Sequence, residues 1–214
     1  LKHLIQIIAP DFFGNPTTLN YWGVWNYGEF ASYFGIVPLS LALFSIFYIT
    51  KVRSAHFFTI IFGLSLLLGL SNPISKIPYI FNFPIISSMQ PSRIIFLLVF
   101  SGSCLAAIGL DLFMKEKNRM KKILPICLIL VAEITLFALS NNQGNILFQD
   151  FPAGVASIAQ KNLILPLIIS ISTLVVIVLQ NIFLNKKTFL LLIFLISYFE
   201  LFRFAYKFTP FTSA

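Results

Sequence analysis

From Ile94 to Ser140 the chain reads IIFLLVFSGSCLAAIGLDLF, then MKEKNRMKK, then ILPICLILVAEITLFALS: twenty mostly apolar residues, a nine-residue basic break, and eighteen more. A bilayer core about 30 Å thick takes roughly 20 helical residues, so this stretch predicts two membrane-crossing helices joined by a short charged turn. On either side of it, Phe34 to Thr50, Ser54 to Leu70, Leu163 to Leu184 and Thr188 to Tyr206 have the same character. The expected fold is an all-α polytopic membrane helix bundle with about six transmembrane helices and interfacial outer loops. Composition agrees. Of 214 residues, 58% are hydrophobic and 10% charged, whereas a soluble domain carries about 25% charged residues and needs a polar shell. Mean hydropathy is +0.91.

The net charge of +8 suits either nucleic acid or membrane topology, and its placement decides between them. Lys51 and Arg53 fill one short gap between apolar runs. Lys115, Lys117, Arg119, Lys121 and Lys122 fill a second, and Lys186 and Lys187 a third. Basic residues in short turns mark the cytoplasmic side, and no basic face interleaved with stacking aromatics supports nucleic-acid binding. Alternation from those turns expects Leu1 to Tyr33 as an extracytoplasmic aromatic-rich loop, Phe34 to Tyr206 as the bundle, Ser71 to Arg93 and Asn141 to Asn162 as outer loops, and residues 207–214 as an outward tail. The localisation expected is the bacterial cytoplasmic membrane, both ends extracytoplasmic. Without a Met start or a signal-peptide pattern, the chain reads as an internal part of a longer protein.

Local residues refine this picture. Pro38, Pro125 and Pro166 each fall near a proposed helix start, where a missing backbone donor costs least. Gly102, Ala106 and Gly109 share one face of the third span and predict a close helix–helix approach. The loop from Ser71 to Arg93 combines four prolines with many apolar side chains, which predicts an interfacial segment rather than one helix. A short surface helix is expected over Ala153 to Lys161. Cys104 and Cys127 lie at different depths, so no disulfide is expected. His3 and His56 fall on opposite sides, and no P-loop, HExxH or paired CxxC occurs; no cofactor is identifiable, and nothing in the sequence supports a divalent metal.

Two regions carry polar chemistry. Glu133 stands near mid-bilayer as the sharpest intramembrane oddity, where a charge costs on the order of 2.5–3.5 kcal/mol and faces a partner or a wet cavity. It reads as a packing residue of the bundle interior or as the proton or ion carrier of a transporter or lipid flippase. The leader sets Asp11, Asn15, Asn20, Asn26 and Glu29 among Phe12, Phe13, Tyr21, Trp22, Trp25, Tyr27, Phe30 and Tyr33. Aromatic faces beside carboxylates and amides suit sugar rings and equally suit an interfacial aromatic belt. Arg93 and Lys207, outside near span ends, suit a lipid phosphate.

The stretch PDFFGNP from Pro10, followed by NYWG from Asn20 and NYGEFASYFGIVPL from Asn26, resembles the outer loop and helix entry of bacterial YfhO-type membrane proteins. Pro91-Ser92-Arg93 leading to Gly109-Leu110-Asp111, and the stretch ELFRFAYKFTPF from Glu200, resemble two further parts of that family. The resemblance covers roughly a third of the chain and includes no catalytic motif. It implies part of a GT-C-like membrane glycosyltransferase that moves a sugar from a polyprenyl-phosphate donor to an envelope polymer acceptor on the outer face. It also implies a catalytic base on a loop upstream of Leu1, with Asp11 and Glu29 as substitutes within this chain. The expected substrate-binding residues are Asn15, Tyr21, Trp22, Trp25, Glu29, Arg93, Arg203 and Lys207. The leader and the Arg93 region are expected to converge on one outward cavity large enough for an isoprenoid phosphate. A non-catalytic membrane scaffold is the third reading.

Overall fold

The computed structural model describes residues 2–24, 26–70, 72–84, 86–88, 90–141, 154–180, 182 and 184–208, with residues 86, 207 and 208 in backbone only. Among the described residues, seven α-helices follow a leader of three 3-10 turns: α1 Ile36–Ile46, α2 Arg53–Gly69, α3 Ile77–Ile80, α4 Ile95–Lys115, α5 Arg119–Leu139, α6 Val155–Gln180 and α7 Lys186–Phe208. Among the described residues there are no strands. Among the described residues, four helical segments, Pro91–Lys115, Arg119–Leu139, Val155–Gln180 and Lys186–Tyr206, are long and apolar enough to cross a membrane. A fifth span results if α2 and the helical turns that follow it, bent from it by 80°, count as one.

α1 departs from the expected long first span. At eleven residues it covers about 16 Å, roughly half a bilayer core. Eight of those residues are buried, so its apolar surface faces other helices rather than lipid. It packs most extensively on α4 and also touches α2, α5, α6 and α7, which makes it the axial element. The small-residue face of α4 is what admits it. A Cβ on Gly109 would collide with the backbone carbonyl of Leu41, and one on Gly102 would lie 2.7 Å from the Phe34 ring. The close approach expected of Gly102 and Gly109 is thus present, with α1 as the partner.

The three basic turns gather at one end of the bundle. Tyr48, just past α1, donates to Glu116 in the α4–α5 turn, and Lys121 sits 5.8 Å over the Tyr48 ring. Lys122 Nζ reaches Gln180 Oε1 at the end of α6, at 3.1 Å, and lies 4.7 Å over Phe113. Phe113 in turn stacks on Phe189 of α7, centroids 5.4 Å apart. The Tyr48 bond first, then the backbone N–H of Asn118, holds the Glu116 carboxyl at about 2, keeping an acceptor among the lysines.

Two boundaries differ from expectation. The short helix expected over Ala153 to Lys161 is the start of α6, which runs on without a break to Gln180. Pro166 therefore lies three turns inside α6, and Pro125 lies nearly two turns inside α5; only Pro38 falls in a first turn. The reason is at the leader, where the buried Val155, Ala156, Ala159 and Leu163 pack with Phe12 and Phe13. That contact gives the first turns of α6 an apolar face that raw hydropathy does not register. Most of the expected 141–162 loop, residues 142–153, lies outside the described residues, as do residues 209–214 of the tail.

Candidate functional site

The leader folds on its own hydrogen bonds. Asn15 caps the 3-10 turn Pro16–Thr18, with its Oδ1 accepting from Thr17 N at 2.9 Å. Its Nδ2 donates to Asp11 Oδ1 at 2.9 Å. Tyr27 donates to the same oxygen at 2.9 Å. Burial first, then the Asp11 carboxylate, push the Tyr27 phenol well above its ordinary range, so it stays a neutral donor. Gly14 sits at φ +78°, and a Cβ there would strike the Asn20 backbone carbonyl. These contacts fix Asp11, 7% exposed, at the base of the leader. Asn162 Nδ2 of α6 clamps its carbonyl at 2.7 Å.

The other end of the site hangs on Glu200 of α7. Its Oε1 accepts from Ile36 N at 2.6 Å and from the Tyr33 hydroxyl. The first backbone N–H groups of a helix have no intrahelical acceptor, and Gly35, at the cap of α1, offers no side chain. Glu200 therefore caps α1 from another helix, where the helix dipole also favours a carboxylate. Tyr33 rests edge-on against Phe204, ring centroids 5.2 Å apart.

Between these anchors lies a recess of about 50 Å³ lined by Asp11, Tyr33, Lys161, Asn162, Glu200 and Arg203 together with apolar side chains of α6 and α7. That volume equals about four water-sized sites, the scale of one phosphate group. Two carboxyls, two cations, an amide and a phenol thus meet in one place, contributed by four separate parts of the chain. Glu133 of α5, which is not on the recess lining, is fully buried, with neither oxygen hydrogen-bonded.

The residues expected at the site divide. Arg203 lines the recess, and Asn15 holds Asp11. Tyr21 and Trp22 pack against the leader core rather than presenting a free aromatic platform. Trp22 lies 4.7 Å from Phe13, and Tyr21 stands edge-on to Tyr27 at 5.5 Å. Glu29 and Arg93 sit elsewhere. Ser92 Oγ donates to Glu29 Oε2 at 2.8 Å, and the Gln90 amide, oriented to satisfy its neighbours, donates to both Glu29 oxygens. The leader and the Arg93 segment therefore do touch, but neither Glu29 nor exposed Arg93 lines the recess. The recess itself is smaller than the isoprenoid-phosphate cavity expected. Trp25 and the Lys207 side chain lie outside the described residues. Missing from the expected set are Lys161, Asn162, Tyr33 and Glu200. Lys161 and Asn162 leave a faint sequence signal, a lone Lys-Asn pair at the edge of an apolar run, whereas Glu200, fourteen residues into α7, carries the same signal as Glu133, an acid inside an apolar run.

Cys104 and Cys127 are free thiols. Among the described residues no group of three or more His, Cys, Asp or Glu side chains is arranged to hold a metal ion. No family model, curated protein or solved structure matches this chain.

Proposed function

We propose that this chain forms the headgroup-binding part of a membrane glycosyltransferase that takes a sugar from a polyprenyl-phosphate donor and passes it to an envelope polymer. The recess end faces away from the cytoplasm. The observation that carries the reading is the convergence of Lys161 from α6 and Arg203 from α7 on one recess beside Asp11. A phosphate leaving group develops negative charge as the sugar departs, and two positioned cations stabilise it. Asp11, held by Asn15 and Tyr27, is the carboxylate in reach of an acceptor hydroxyl. A space of phosphate size leaves the sugar and the isoprenoid outside it. The donor's isoprenoid chain lies against α7, where exposed Phe194, Tyr198, Phe202 and Tyr206 stack in a row at four-residue spacing. The lysine-bearing turns at the opposite end of the bundle fit the cytoplasmic side.

Sugar transfer from a polyprenyl-phosphate donor, assayed in membranes, tests this. Arg203→Ala and Lys161→Ala are each expected to lower transfer about 10- to 100-fold, since a hydrogen bond to a charged group contributes about 1.5–3 kcal/mol. Arg93→Ala, away from the recess, leaves it near wild type. Unchanged transfer in both recess variants would overturn the assignment. Loss of substrate uptake in Glu133→Gln, with no transfer activity in the wild type, would support a transporter instead.

A further inference from the structure

Glu133 and Glu200 belong together in a way the sugar-transfer reading does not use. Glu133 is 0% exposed and both its oxygens lack hydrogen-bond partners; Glu200 is 3% exposed, and its Oε2 is likewise unpartnered. Glu133 stands on α5 and Glu200 on α7, two helices that both pack against α1, and the Glu133 carboxyl feels the charge of Glu200. A third buried oxygen neighbours Glu133. Ser170 Oγ of α6, 0% exposed, lies beside the Glu133 carboxyl without completing a hydrogen bond to it or to any other group.

The two acids differ in their donors. Glu200 Oε1 accepts from the Ile36 N–H and the Tyr33 hydroxyl, and hydrogen bonds donated to a carboxylate favour its charged form. Glu133 has only the Ser170 hydroxyl beside it, outside hydrogen-bonding geometry. An ionised carboxylate buried without donor or counter-charge costs several kcal/mol, and a bound proton removes that cost.

The surrounding charges do not supply a counter-ion to Glu133. α1 carries no titratable side chain. The leader side contributes Tyr33 and Asp11, and the recess mouth Lys161 and Arg203, all lining the space around Glu200. Lys122, eleven residues from Glu133 along α5 and so about 16 Å away, bonds Gln180 instead. Tyr198 of α7 is exposed.

We propose that Glu133 and Glu200 form a proton-binding pair inside the bundle. Glu133 holds a proton as a neutral carboxylic acid, and Glu200 is the carboxylate that caps α1 and meets the recess. The pair carries one negative charge; like charges at this proximity disfavour the second ionisation. Glu200 lines the recess, so protons reach the pair from the leader end of the bundle. The site stands whether the recess takes a lipid phosphate or another anion.

Infrared difference spectroscopy of the protein in lipid vesicles, with pH stepped from acidic to alkaline, reads the pair through the C=O stretch of protonated carboxyls. The expected result is a band that persists at neutral pH, shifts in D2O and disappears completely in Glu133→Gln. Glu200→Gln, which removes the neighbouring charge, moves the loss of that band to lower pH. Glu133→Asp keeps the acid and displaces the band, which maintains the test if the glutamine variant does not fold. Absence of any Glu133-dependent band at neutral pH would overturn the proposal, because Glu133 would then be ionised. A band indifferent to Glu200→Gln would show that the two acids do not act as a pair.

Discussion

Gly109→Ala is expected to destabilise the bundle by about 3 kcal/mol, the upper end of the usual cost of overpacking a tight core. The size of the effect follows from what the new methyl would strike. Its obstacle is the Leu41 backbone carbonyl, which belongs to a helix and cannot rotate aside. Relief requires α1 and α4 to move apart along their most extensive contact, and α1 is also the element on which α5, α6 and α7 converge. Gly102→Ala meets the rim of the Phe34 ring instead, a side chain that can give by a small rotation, so a smaller loss is expected there. Thermal unfolding in detergent measures both. Wild-type stability in Gly109→Ala would mean that α1 does not sit against α4 at this distance.

Removing the carboxyl of Glu200 is expected to cost about as much, by a different route. In Glu200→Ala the Ile36 N–H and the Tyr33 hydroxyl, both on buried residues, lose their acceptor. Each buried donor left unsatisfied costs about 1–3 kcal/mol, which sums to about 4 kcal/mol. Glu200→Gln retains an acceptor oxygen in the same place and is expected to recover most of that loss. The two variants therefore separate the cap from the charge. Equal melting of alanine variant and wild type would show that α1 is held without Glu200. Equal loss in both variants would show that the negative charge, rather than the hydrogen bonds, supports the helix.

What the sequence discloses is set by how local its causes are. Hydropathy runs over twenty residues, so α4 through α7 are legible, and the basic turns identify the end at which they meet. The spacing of Gly102 and Gly109 is a property of one helix face and correctly announces a close neighbour. Its partner is not announced, because the apolar run from Phe34 to Thr50 reads the same whether lipid or protein surrounds it. Only the packing reveals that α1 is short and axial. The site is still less local. Asp11, Lys161 and Arg203 are brought together over nearly two hundred residues, and no spacing rule links them. Glu200, an acid inside an apolar run, answers to the same rule that singles out Glu133; what that rule does not give is its bond to Ile36 N, 164 positions away. Conversely, the aromatics of the leader are conspicuous in sequence, but Phe12, Phe13 and Tyr27 are buried, so much of that signal is core packing.

The sidedness of the recess decides whether an outward donor lipid can reach it, and it is open to one labelling experiment. In a variant with Cys104 and Cys127 replaced by serine, single cysteines are placed at Lys161, beside the recess, and at Lys117, in the α4–α5 turn; both positions are exposed. In intact cells a membrane-impermeant maleimide is expected to modify the cysteine at position 161 and to reach that at 117 only after the membrane is opened. Labelling of position 117 in intact cells, with position 161 protected, would place the recess on the cytoplasmic side and contradict the assignment of the phosphate site.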